Sequence, residues 1–180
     1  MVVPSPEPQP IPKGGTGDKI RLREATPRDF KAISALFQEV DNLHCEHLPD
    51  LFRRAEGAPR EESFITGLIR NPDALVLVAE HEARILGLVV ALTRSSPGFP
   101  YLVPLRYAVI DTIVVTASAR GRGIGQAMMA FTEAWASDQG VDRIELDVFE
   151  FNEEALSFYQ GREFSVLSRR MVKLLDRDTC

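Results

Sequence analysis

Between Val114 and Phe131 the chain reads VVTASARGRGIGQAMMAF, and no other stretch restricts the fold as much. β-Branched residues give way to Gly121, Gly123 and Gly125, with Arg120 and Arg122 between them, and then to an apolar, helix-forming run. A plain turn needs one glycine. Several glycines between a strand and a helix let bare amide N–H groups converge on one point. The helix N-terminus adds its own unpaired donors and partial positive charge there. Such a turn binds phosphate or pyrophosphate, and the arginines can add charge-assisted contacts. The plainer alternative is a helix start with solvated arginines. Two common nucleotide fingerprints do not fit: G-x-G-x-x-G requires a glycine where Gln126 stands, and the G-K-[ST] ending is absent.

The surrounding pattern predicts a single domain over residues 19–180, preceded by a disordered tail over 1–18 that is rich in proline and glycine. Ile20, Leu22 and Ala25 suggest a first strand. Thr26-Pro27 starts a helix marked by Phe30, Ile33, Leu36, Phe37 and Val40. Residues 42–57 are broken at Pro49 and read as two short helices, and 61–70 as another. Residues 74–79 and 85–92 pair as a β-hairpin, followed by a long proline-containing loop over 93–106. YAVIDTIVVT, residues 107–116, is the most strand-like run. After the glycine turn, Ile124, Met128, Phe131 and Trp135 share a helix face. A strand over 143–149, a helix over 152–160 and two closing strands over 164–174 complete the chain. This order gives an α/β (α+β) fold with a partly parallel sheet.

Composition sets the outer bounds. The chain has 180 residues, 44% hydrophobic and 26% charged, with a net charge of -5, which gives no electrostatic support to a nucleic-acid partner. Cys45 and Cys180 form neither a disulfide framework nor a metal-ligand spacing, so a reducing, cytoplasmic setting without a metal is expected. No apolar run reaches the ~20 residues of a membrane span, and the N-terminal residues do not have the pattern of a secretory signal.

A second constellation lies downstream, in LDVFEFNEEALSFYQGREF. Asn152 and Tyr159 fall on one helix face, two turns apart, with the small Ala155 between them. The stripe suits an elongated ligand lying along the helix. It equally suits a structural N-cap Asn and a half-buried Tyr.

Taken together, the two stretches resemble the GNAT (GCN5-related) family of acetyl-CoA-dependent N-acetyltransferases. The family's [Q/R]-x-x-G-x-[G/A] motif stands here as Arg120-Gly121-Arg122-Gly123-Ile124-Gly125, and its Asn, Ala and Phe-Tyr region as Asn152, Ala155 and Phe158-Tyr159. The resemblance extends from Lys19 to about Leu174. It departs where the family usually has Gly-Phe and this chain has Glu163-Phe164. It implies a mixed, mostly antiparallel sheet with a splayed parallel strand pair and flanking helices. It also implies that the amides of Arg120–Gln126 hold the CoA pyrophosphate and that the backbone of Ile113, Val114 and Val115 pairs with the pantetheine arm. Asn152 is then a contact of that arm, and Tyr159 the general acid beside the sulfur.

Transfer to an amine needs a free base form, and an alkylammonium of pKa near 10.4 holds only about one part in a few thousand free at pH 7. A base or a water chain must take that proton. Strand alternation places Asp111 on the face of Ile113 and Val115, which makes it the first candidate. His44, Glu46 and His47 lie where the implied fold builds its acceptor wall, and they are candidates for substrate binding or for the base. The expected acceptor is a primary amine of a small molecule, a peptide or a protein N-terminus, and a homodimer is left open. The competing reading is a CoA-binding module of the same fold that transfers nothing.

Overall fold

The computed structural model describes residues 20–54, 56–173 and 175; the tail expected over 1–18 lies outside them. The chain divides into two compact units, one ending at Asp147 and the other beginning at Val148.

The first unit is built on a five-stranded sheet in the order β1-β2-β3-β4-β5. The strands are β1 (Arg21–Glu24), β2 (Ala74–His81), β3 (Arg84–Ser95), β4 (Arg106–Val115) and β5 (Arg143–Leu146). β1 to β4 pair antiparallel in sequence order, whereas β5 pairs parallel to β4. The hairpin between β2 and β3 turns through Glu82 and Ala83, both at positive φ (46° and 62°), the geometry whose twist suits a two-residue connection. The sequence LVLVA is fully buried in β2, because helices cover both faces of the sheet. On one face, α1 (Phe30–His47) and α2 (Glu62–Arg70) pack Ile33, Leu36, Phe37 and Ile65 against Val76, Val78, Leu88, Val90 and Val114. Alternation turns Leu77 and Val89 to the opposite face, where α3 (Ile124–Asp138) packs through Met128 and Met129.

Several expectations are revised. α1 runs unbroken through His47, and among the described residues no second helix follows before α2. Leu48 accepts the role of C-cap, its N–H donating to the His44 carbonyl, and Pro49 then prevents continuation. Phe64 is half exposed, so α2 is buried chiefly through Ile65. On α3 the fully buried position is Thr132 rather than Phe131, and its hydroxyl is satisfied by the Met128 carbonyl at 2.9 Å. In the second unit, α4 (Glu153–Gln160) is present, but residues 164–173 carry no strand. Their apolar residues come in doublets, Val166-Leu167 and Met171-Val172, split by Ser168-Arg169-Arg170. That is not the period of two that gives a strand one buried face. All four are exposed.

The entry into α1 is fixed by one ionic cluster. The Arg23 guanidinium donates to both Asp29 carboxylate oxygens at 2.8 and 2.9 Å, and also to Glu80 of β2. The backbone N–H of Thr26 adds a bond to Asp29 at 2.7 Å. Arg23, helped by the Thr26 donors, holds the Asp29 carboxyl at about 2, below its ordinary 3.8. A lowered carboxyl pKa stabilises the fold above the unfolded value, and that stability is lost as pH falls towards 2. Asp29→Asn is therefore expected to cost about 2 kcal/mol at pH 7. Denaturant unfolding at a series of pH values checks it: the gap between wild type and variant should close between pH 4 and 2. A gap of constant size would show that the carboxylate's charge contributes nothing.

Candidate active site

The site is organised by an interruption of the sheet. The parallel ladder between β4 and β5 runs only from Tyr107–Arg143 to Ile110–Leu146, while β4 itself continues to Val115. Over Asp111–Val115 the β4 edge that faced β5 carries no strand among the described residues. An edge of this kind presents backbone N–H and C=O groups to any extended partner. Its other edge stays paired with β3 as far as Val115 and Gly87, so the open edge is held straight and in register.

The same strand carries a bulge. Val90 of β3 pairs with Thr112 and Ala91 with Ile110, leaving Asp111 with no residue opposite. Strict alternation fails at that point, so spacing alone does not place Asp111 on the face of Ile113 and Val115. The Asp111 side chain is exposed and accepts a hydrogen bond from its neighbour Thr112 at 3.2 Å. The bulge stands beside the last rung of the parallel ladder, so an exposed carboxylate marks the point where the strands part.

Beyond β4 the chain turns sharply. The Thr116 N–H donates to the Leu86 carbonyl at 2.8 Å, Ala117–Ala119 form a short 3₁₀ turn, and Arg120 Nε donates to the Val115 carbonyl at 3.2 Å. Gly121 and Gly123 lie at φ of +71° and +76°, in the left-handed region that a Cβ disfavours. No protein atom stands within 4 Å of where a Cβ would be at either position. Backbone conformation demands these glycines, and it leaves clear space beside the turn. Gly123 is the N-cap of α3, a residue without a side chain to cap with. The first-turn amides of Ile124, Gly125 and Gln126 have no intrahelical acceptor and carry the positive end of the helix. α3 is held close to the sheet because β3 has Gly87 beneath it: a Cβ there would lie 2.8 Å from Met128 Sδ.

In the second unit, Asn152 Oδ1 accepts the Ala155 N–H at 3.2 Å, so its carboxamide oxygen caps α4. Tyr159 is buried beside Phe158 and Phe164, with ring centroids 5.5 and 5.7 Å away. Burial pushes its phenol up to about 12. Glu163, at the departure from the family's Gly-Phe, adopts φ +66°. The chain keeps the left-handed turn there without the glycine that favours it, at a cost of about 1–2 kcal/mol.

The acceptor candidates on α1 differ among themselves. His44 is half-buried and stacks on Phe52 at 5.0 Å. Burial lowers its pKa below 6.5, partly offset by Asp41, which favours the neutral imidazole. His47 Nδ1 lies 3.0 Å from the Leu43 carbonyl, and Glu46 forms an exposed ion pair with Arg54 at 3.6 Å. Sequence reasoning missed Glu39 and Thr116, whose side chains meet at 2.8 Å across 77 positions. The available signals were a threonine placed between strand and turn and a glutamate next to the apolar stripe of α1.

A strand with one bare edge runs into a left-handed glycine turn at a helix start capped by a glycine, and together they present backbone groups that suit an extended, anion-bearing ligand. Comparison with known proteins agrees: residues 37–164 match the acetyltransferase (GNAT) family. The chain belongs to this family and is an acetyl-CoA-dependent N-acetyltransferase. It is 23% identical over 141 residues to the uncharacterized N-acetyltransferase YhfO of Bacillus subtilis, covering 78% of this chain and 87% of YhfO. A mutant of the BH1408 protein from Bacillus halodurans has a similar structure (TM-score 0.82, 26% identity, 86% of this chain and 98% of that one). The aminoglycoside N-acetyltransferase AAC(6')-Iy, solved in complex with CoA, shares the fold at 14% identity (TM-score 0.66, 93% and 99% covered).

The Tyr159 environment can be tested directly. Spectrophotometric titration, with the Tyr159 step identified by its loss in Tyr159→Phe, should place that phenol near 12, about two units above an ordinary tyrosine. A step near 10 would mean that the ring is solvated.

Proposed function

We propose that this protein transfers the acetyl group of acetyl-CoA to a primary amine of a small molecule or peptide. The observation that carries the reading is the bare β4 edge at Asp111–Val115 leading directly into the left-handed turn at Gly121 and Gly123. The residues fit the donor on their own chemistry. First-turn amides of α3 suit the pyrophosphate, with Arg120 and Arg122 adding charge, and the edge of Ile113–Val115 suits the amide-bearing pantetheine arm. The donor supplies an activated acetyl group on a thiol leaving group.

The chain's own groups do the rest. A main-chain N–H of the β4 edge polarises the thioester carbonyl, an interaction worth roughly 3 kcal/mol in comparable sites. Asp111, exposed at the bulge, takes the proton of the incoming ammonium directly or through one water. The family resemblance gives Tyr159, which is fully protonated at neutral pH, the role of donor to the departing sulfur. Moving a proton from a phenol near 12 to a thiolate near 8.5 is uphill by about 5 kcal/mol. Tyr159 therefore stabilises the sulfur first as a hydrogen-bond donor, with transfer completed late. His44, held toward its neutral form, is the alternative base, and with Glu46 and His47 it forms the proposed acceptor wall.

Two sets of measurements test this. Calorimetric binding of CoA should weaken at least tenfold, about 1.4 kcal/mol, in Gly123→Asp. Gly123→Ala, which brings backbone strain without charge, should lose less. Equal affinity in folded wild type and Gly123→Asp would remove the cofactor assignment.

An amine panel read by mass, spanning aminoglycosides, polyamines and peptides, should then yield an acetylated product. Binding of CoA with no product from any amine would favour the module that transfers nothing. With an acceptor in hand, Tyr159→Phe should lower kcat about 10²-fold with CoA binding retained. Asp111→Asn should lower kcat/KM most where the amine is mainly protonated, the loss shrinking as pH nears the amine's own pKa. If the Asp111→Asn profile runs parallel to wild type while His44→Ala loses its basic limb, the base is His44.

A further inference from the structure

Thr116 is the first residue past β4, at the start of the path to the glycine turn, and each of its polar groups is committed to a different element. Its N–H donates to Leu86 of β3, its carbonyl accepts from Ala119 N in the 3₁₀ turn at 2.9 Å, and its hydroxyl donates to Glu39 of α1 at 2.8 Å. The exit direction of the strand is thus set by three independent contacts. Glu39 is half-buried on α1, close to Leu36 and Val40, which pack on the core. A carboxylate in that position opposes any anion bound at the nearby turn. Its charge is therefore ill suited to the ligand, and its acceptor oxygen is what the Thr116 hydroxyl needs.

We propose that Glu39 is a positioning residue for the acetyl-CoA site, acting through Thr116 to fix the turn that bears Gly121 and Gly123. The inference rests on the proposed use of that turn for the CoA pyrophosphate. Glu39 touches neither the donor nor the amine; it holds the backbone that does. Losing the bond leaves the strand exit held by its two backbone contacts alone, so the amides of α3 and the β4 edge are less firmly kept in the single arrangement that meets one ligand. The ordering must then be supplied on binding, which weakens affinity for the donor without altering the groups that react.

The test is a double-mutant cycle on CoA binding by calorimetry, with steady-state kinetics on the same proteins. Thr116→Val, which keeps the β-branched shape and removes the hydroxyl, should weaken CoA about tenfold. It should raise KM for acetyl-CoA to match, with kcat and the acceptor KM held within about twofold. Glu39→Ala should do the same, and the double variant should be no weaker than either single. Thr116→Ser retains the donor and Glu39→Gln retains an acceptor while removing the opposing charge, so both should bind CoA at least as well as wild type. A role confined to stability would lower the melting temperature and leave these constants unchanged. Wild-type affinity in folded Thr116→Val or Glu39→Ala, or additive losses in the double variant, overturns the proposal. Failure of the underlying site looks different: Gly123→Asp would then bind CoA as wild type does.

Discussion

The early end of the β4–β5 ladder is the constraint on which the rest of the site depends. A parallel pair that stops at Ile110 and Leu146 leaves the end of β4 with no strand along that edge among the described residues, so its backbone groups there are open to an extended partner. An open edge is normally a liability, and a loose one would fray. This one is kept firm from every other side. β3 pairs along its opposite edge, Val114 is buried in the core beneath α1, and α3 packs across from the other face. The strand is therefore rigid and bare at once. That combination lets main-chain atoms act as a fixed template, with little ordering left for the binding step.

The bulge at Asp111 belongs to the same design. An extra residue bends and twists the strand locally, and bulges concentrate where a sheet must stop pairing or redirect a side chain. Here the unpaired residue is the exposed carboxylate, and it falls immediately after the last rung shared with β5. The run YAVIDTIVV reads in sequence as one continuous strand, because a bulge is a relation between two strands and leaves no mark in one of them. The alternation that seemed to align Asp111 with Ile113 and Val115 was sound for an ideal strand. The bulge in the pairing with β3 removes spacing as the warrant for that alignment.

What could be read from the chain follows the same division. The glycine turn, α3, the β2–β3 hairpin and the β4 run are encoded by neighbours in sequence, through φ preferences and apolar period, and they appear as expected. The elements that differed depended on remote contacts. α1 continues past Val40 through the polar DNLHCEH because its turns are already anchored by the Ile33–Phe37 stripe, and Pro49 only enforces the end. β5 stops at Leu146, short of the apolar Val148 and Phe149, and residues 164–173, read from the sequence as closing strands, carry none. The N-cap reading of Asn152 was open from the sequence, where two acidic residues follow it as in the first turn of a capped helix, and Asn152 does cap α4. The Glu39–Thr116 contact, across 77 positions, was invisible.

The partition between backbone and side chain also explains why the donor is legible and the acceptor is not. Recognition by amide N–H groups, left-handed glycines and a bare strand edge asks little of side-chain identity. The proposed acceptor wall of His44, Glu46 and His47 rests instead on side chains whose contacts differ in burial and charge over a single helical turn. On that proposal, a change in any one of them would alter which amine is bound. Specificity can drift on α1 while β4 and its turn stay fixed, provided the two remain joined where Glu39 meets Thr116.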